Sequence, residues 1–513
     1  MSKQTKGRTV GERFSDAVDD VFYEAPFLVL ALLAVFAAAA VSMWLNGLGV
    51  LSSIETVVRP GLFIIVPVVL VALGTVLLLY DISKSRMVGG IVFLLGVAFT
   101  VYALGFHSYN VKSVYASDMQ EVDETVNYNE RSPWVVADNF ARRGQGDING
   151  DLTTVRFVPN DNAESEDVSR YSAAIKERKI FNAGYAAVQT MDMPYSGAAE
   201  SGAVSHCEVP DNMGKRLGSF WPWASLNWTL YRTAPLFSHF HTSDAYAYCD
   251  SEDKPTIVVP LYSYSGFWRV TKEPAGVFVY NPDGARYIEQ SKVNGEGIEG
   301  TTYPMSLAKT QREAIKAGGT LRQYYSSVYG YDTTDKDVQD SNGSNPSEFI
   351  LTKPNGGGVS FVTPLTPRGS SESIVAVADI PARQEGEGRS PVIINTNPDL
   401  QASTSTLDTK IRESSVRGDV EWATRWSAGM RVYEILPASD GHWTASVGQG
   451  QAVSYRADIS PNGEVRVYRT DDESGSDTEV ESVTVSGDKE LKDMSDEELY
   501  SLIDSALEEL KAR

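Results

Sequence analysis

GLFIIVPVVLVALGTVLLLY, residues 61–80, decides how the rest of this 513-residue chain is read. It contains no charged side chain, and a helix of that length rises about 30 Å, the thickness of a bilayer's hydrocarbon core. A core helix of a soluble protein would show polar residues at helical period, and here there are almost none. Pro26–Leu45 before it and Met87–Phe106 after it share the property. Three transmembrane helices are therefore expected, at 26–45, 61–80 and 87–106, behind a cytoplasmic tail at 1–25.

Flanking charge gives the orientation. Lys3, Lys6, Arg8 and Arg13 lie in the tail, and Lys84 and Arg86 lie in the tight 81–86 turn, whereas the 46–60 segment, read as a loop, has only Arg59. Basic residues stay on the cytoplasmic side, which predicts an integral plasma-membrane protein with a cytoplasmic N-terminus and residues 107–513 extracytoplasmic. None of the three runs carries an ionisable side chain, so neither a proton relay nor an ion path is expected within them. Gly89, Gly90 and Gly96 suit close helix packing instead.

The formal charge of −22 divides unevenly. Residues 1–106 hold seven basic and seven acidic groups, while residues 471–513 hold fifteen acidic groups against four basic ones. Such acidity excludes a general nucleic-acid binder, because phosphate backbones require clustered cations. Two cysteines exclude a disulfide-dense scaffold and a zinc-finger protein.

After Phe106 the composition turns to Tyr, Ser, Thr, Asp and Gly. Short β-branched and aromatic runs bounded by turn residues predict strands at 256–262, 276–280, 349–351, 359–362, 374–378, 392–394, 452–459 and 464–468. Asn281-Pro-Asp-Gly284 and Ser460-Pro-Asn-Gly463 are matching hairpin turns that hint at repeated β-rich units. Helices are expected at 168–181 and 306–317, with 407–426 ambiguous. An acidic linker at 471–494 leads to the capping box Ser495-Asp-Glu-Glu498 and an amphipathic helix at 495–513. The fold class is thus a membrane-anchored α+β protein: three N-terminal helices, a large β-rich extracytoplasmic region at 107–470 in two or more subdomains, and a terminal amphipathic helix.

Candidate chemistry is sparse. Cys207 and Cys249 are expected to form a disulfide in an oxidising compartment. The span they enclose is rich in aromatics, and Trp221, Trp223 and Trp228 are candidates for a ligand or partner surface. So is the terminal stripe of Leu499, Leu502, Ile503, Leu507 and Leu510. His239 and His241, two apart, would share a face in a strand, and with His206 or Asp244 would hold a divalent cation weakly. No other cofactor is expected. Asp147-Ile-Asn-Gly-Asp151 starts like a calcium loop, but Val158 stands where Glu is required, so a turn is the better reading. Ser306-Leu-Ala-Lys309 has the spacing of an activated serine, without its companion motifs, and reads as a helix N-cap.

These features suit a non-enzymatic protein of a bacterial cell envelope that binds a partner or surface ligand. A membrane-tethered hydrolase or glycan-processing enzyme, and an accessory subunit of a larger membrane complex, are the alternatives. Expected partners are other membrane or envelope proteins, further copies of the chain, and the lipid bilayer, with no nucleic acid.

Overall fold

A computed structural model describes residues 47–79, 83–159, 168–178, 184–194, 203–219, 222–333, 349–383, 386, 388–396, 402–414 and 422–470, apart from 126, 296, 355, 356 and 451, with scattered positions between 34 and 45. Most of the first apolar run, Trp221, the acidic linker and the 495–513 helix lie outside the described residues.

Two helices are long and apolar enough to cross a membrane: α1, Val50–Leu79, and the Arg86–Gly105 part of α2, Ser83–Gly105. They pack antiparallel on glycines. A Cβ on Gly74 would fall 2.5 Å from the Phe93 nitrogen, and one on Gly96 2.7 Å from the Val71 nitrogen. The expected 46–60 loop is corrected: α1 starts at Val50 and runs through Pro60. Inside a helix proline removes one backbone donor and crowds the carbonyl four residues back, and the Glu55–Arg59 pair at i,i+4 favours helix against that cost.

From α2 the chain enters α3, His107–Ala116, and then β1, Met119–Val122. The body that follows contains further helices: α4, Trp134–Gly144; α5, Leu226–Thr233; α6, Met305–Ala314; α7, Leu321–Ser326; α8, Thr404–Glu413; and α9, Trp422–Ser427. The described residues form four sheets. In the first, β1 pairs parallel with β15, Val392–Thr396, followed by antiparallel β14, Ala376–Pro381, and β13, Val359–Pro367, which also pairs with β11, Tyr331–Thr333, and β12, Phe349–Thr352. The second contains β2, Asp151–Leu152, and β3, Arg156–Phe157, on β4, Val168–Lys176, then β5, Tyr185–Pro194, and β6, Ala203–Glu208. The third is the meander β7, Tyr246–Cys249, β8, Pro255–Ser265, β9, Thr271–Asn281, and β10, Gly284–Ile288. The fourth is the meander β16, Arg431–Pro437, β17, Trp443–Gln449, β18, Ala452–Ile459, and β19, Val465–Arg469. The two matching turns close the last hairpin of these two meanders.

Period-two alternation stacks the sheets. On β13, Phe361 faces a core shared with Tyr171, Met191 and Met193 of the second sheet, while Val362 faces a core with Trp443 and Tyr455 of the fourth. On β9, Phe278 and Tyr280 join Val188 and Cys207 of the second sheet, while Val277 and Val279 face the other way. Because β4 lies between two cores, Ser169–Ile175 is buried nearly throughout. A strand covered on both faces loses its alternation, so within the helix expected at 168–181 residues 168–176 form a strand, and 179–181 lie outside the described residues. The ambiguous 407–426 stretch contains parts of α8 and α9.

Ion pairs lock the layers. Arg131, in the segment before α4, and Glu434 of the fourth sheet, both buried, pair at 3.2 Å, and Glu434 also accepts from the Trp134 backbone at 2.8 Å. At the exit from α3, the Arg389 guanidinium grips both Asp118 oxygens at 2.5 and 3.3 Å, the Glu273 carboxylate and the Val114 carbonyl, and lies 5.2 Å from the Tyr115 ring centroid. The Cys207 and Cys249 sulfurs are at bonding distance, 2.14 Å, and staple the second sheet to the third.

Two outcomes follow. Gly96→Leu is expected to separate α1 from α2 at a cost of about 1–3 kcal/mol, since a backbone atom cannot yield as a side chain can, and the thermal transition in detergent measures it. Replacing both cysteines by Ser is expected to cost about 3–4 kcal/mol, as loss of a cross-link over such a span implies, read from denaturant midpoints.

Candidate functional site

Thirty residues of helix rise about 45 Å, more than a hydrocarbon core requires and close to a bilayer with its head groups. The surplus is at the N-terminal end of α1, and the body grips it there. Ser52 donates to the Ser238 carbonyl at 3.3 Å. Glu55 takes two partners, His239 Nε2 at 2.9 Å and Arg59 at 2.7 Å. Thr56 Oγ1 lies 3.2 Å from His239 Nδ1, and Arg59 Nε donates to the Gly266 carbonyl at 3.3 Å. Just before the helix, Gly49 adopts a left-handed φ of +71°, and any Cβ there would meet the Tyr231 ring of α5 at 2.4 Å.

Exposed apolar side chains lie beside these contacts. Phe267 and Trp268 form the tip of the β8–β9 hairpin; Phe267 is 71% exposed, and Trp268 packs on Phe99 and Tyr102 of α2. Leu236 and Phe237, beside Ser238, are exposed, and Phe237 holds a left-handed φ of +64°, unusual for a bulky side chain. Tyr325 and Val328, on the other side, are exposed near Gly105, whose carbonyl accepts from the Tyr325 hydroxyl. Among the described residues after α2, Phe106, Trp223, Leu236, Phe237, Phe267, Tyr325 and Val328 are the exposed large apolar side chains apart from Tyr468. They collect around the helix ends, as an interfacial collar would.

His239 lies at the centre of the junction, buried between α1 and the Tyr262 and Tyr264 rings. Burial pushes its imidazole below the usual range; Glu55 opposes that shift, while Lys272 and Arg59 add to it.

The residues proposed as metal ligands do not converge. His241 bonds to Ser243 and is exposed, unlike buried His239, so the two rings do not share a face. Asp244 caps α6, accepting from Ser306 N at 3.0 Å and Ser306 Oγ at 2.5 Å, and burial raises its carboxyl. Ser306 is therefore not the N-cap expected; Pro304 takes that position. A cavity of about 10 Å³ beside Asp244 has space for a single water. His206 lies on β6 opposite Gln189. Among the described residues, no three His, Cys, Asp or Glu side chains are grouped to hold a metal. The Asp147 segment is a turn held by Gln145, whose amide donates to the carbonyls of Ile148 and Gly150.

Trp223 and Trp228 line a surface cleft with Lys215, Thr229, Arg232 and Thr233. The cations, the hairpin tip and Glu55 were absent from the sequence candidates. Only the i,i+4 spacing of Glu55 and Arg59 gave a signal for the last.

Glu55→Ala is expected to loosen the junction by about 1–3 kcal/mol, because it leaves a buried imidazole without its acceptor. Hydrogen exchange of the β8–β9 hairpin reads this out. With the folded His239 pKa depressed, the unfolded state binds more protons as pH falls, so stability present above about 6.5 is lost on acidification towards the folded value. His239→Gln is expected to flatten that part of the pH profile.

Compared with protein-family models, curated proteins and solved structures, the chain shows no significant match, so its function is argued from this geometry.

Proposed function

We propose that the chain is an integral membrane protein of the cell envelope, with three spans, a cytoplasmic N-terminus and residues 107–513 outside. Its β-rich body binds other envelope proteins and performs no catalysis. The observation that carries this reading is the collar: exposed apolar side chains gather where the body meets two bare apolar helices. A water-soluble body would have no reason to concentrate them there.

The binding role is favoured over the enzymatic one by the lining of the tryptophan cleft. A glycan hydrolase needs two carboxyl groups flanking the scissile bond. Among the described residues this cleft offers lysine, arginine and threonine beside the tryptophans, and no carboxylate. The body is also fixed to α1 by hydrogen bonds at four residues, Ser52, Glu55, Thr56 and Arg59, which suits a rigid platform.

A reporter that requires export, fused after Arg513, is expected to be active, and activity of a cytoplasmic reporter there would contradict the topology. Cross-linking of intact cells should give discrete adducts with other envelope proteins. Recovery of the chain without adducts, together with glycan-hydrolysing activity, would favour the enzyme.

A further inference from the structure

The cleft that disfavours hydrolysis has a chemistry of its own. It measures about 770 Å³ and is lined by Lys215, Trp223, Trp228, Thr229, Arg232 and Thr233. Two cations without a carboxylate among the described lining residues stand out in a chain of charge −22. The Lys215 ammonium donates one proton to Thr229 Oγ1 at 2.8 Å, which leaves two for an acceptor. The Arg232 guanidinium lies 5.9 Å from the Trp228 ring centroid, a cation–π arrangement that orients it.

The position of the cleft matters as much as its charge. The Trp228 ring lies 3.0 Å from where a Gly47 Cβ would be, so the cleft wall is continuous with the turn that precedes α1. Trp223, 59% exposed, belongs to the collar. Indole rings favour the head-group layer of a bilayer, and lysine and arginine there pair with phosphate.

We propose that this cleft seats the phosphate-bearing head group of an anionic lipid, an inference that rests on the membrane reading above. Lys215 and Arg232 take the phosphate oxygens, the two threonines hydrogen-bond the polar part of the head group, and the indoles cover its glycerol carbons. A free phosphate would use the cations and leave the indoles idle. A lipid uses both and comes from the adjoining bilayer.

The test uses the full chain purified in detergent and titrated with short-chain phosphatidylglycerol, short-chain phosphatidylcholine and glycerol 3-phosphate. Phosphatidylglycerol is expected to bind about tenfold tighter than either of the others, as charge-assisted bonds combined with apolar cover imply. Lys215→Gln and Arg232→Gln are each expected to weaken it about tenfold, and Arg232→Lys to restore most of the affinity, with thermal transitions unchanged. Equal binding of the two lipids, or glutamine variants that bind like the parent, overturns the proposal. Glycerol 3-phosphate binding as tightly as phosphatidylglycerol makes the seat one for free phosphate and also overturns it. Binding gained only after removal of residues 471–513 would make that acidic tail the occupant. Cell fractionation separates the two levels: a chain recovered in the soluble fraction defeats the membrane reading, whereas a membrane-bound chain without lipid preference defeats the cleft alone.

Discussion

A carboxylate on an otherwise apolar helix must be solvated or given partners, and Glu55 is satisfied from two sides, by an ion pair and by a hydrogen bond. Arg59 on its own helix and His239 on the body both reach it. Because the second partner lies 184 residues away in the chain, the hydrogen-bonding demand of the helix also fixes where the body sits. The placement of the β8–β9 hairpin against α2, of α5 against the Gly47–Gly49 turn, and of the apolar collar is compatible with that contact. Without it, α1 would carry a charged face that the body leaves uncovered.

Behind this junction the body is built by covering sheets on both faces. Interior strands such as β4 and β13 give one row of side chains to each neighbouring core, so each layer depends on the next. Polar groups caught between layers have to find partners there. Arg131 and Glu434 do so with each other, and Tyr128 donates to the buried Asp379 at 2.7 Å while Lys353 pairs with the same oxygen at 2.8 Å. Pairs of this kind add little net stability compared with apolar packing. They penalise any arrangement of the layers that separates the partners.

Much of the framework was legible in the sequence. The strands at 256–262, 349–351, 392–394 and 452–459 announced themselves through β-branched runs between turn residues, and the apolar character of α1 and α2 through simple length. Gly96 could be read as a packing residue because little else is small enough. The failures share a cause. Residues 168–176 lost their alternation by being buried twice, and Pro60 looked like a boundary although its helix simply passes through it. Ser306 looked like a cap because the true capping carboxylate, Asp244, arrives from 62 residues upstream. The junction was hidden for the same reason: the spacing of Glu55 to Arg59 and of His239 to His241 is local, whereas the pairing of Glu55 with His239 is one that only tertiary structure creates.

The route from the two apolar helices to the body has a mechanical consequence. The chain leaves α3 and runs directly into β1, an edge strand in four-residue parallel register with β15. A pull transmitted along β1 would load its ladder with β15 in shear, so the ladder bonds would resist together. Arg389, gripping Asp118 just before the strand begins, adds an ionic rivet at its start. A load carried by the two apolar helices would fall on this seam, and β15, which also pairs with β14, would pass it into the first sheet, past the local hairpins.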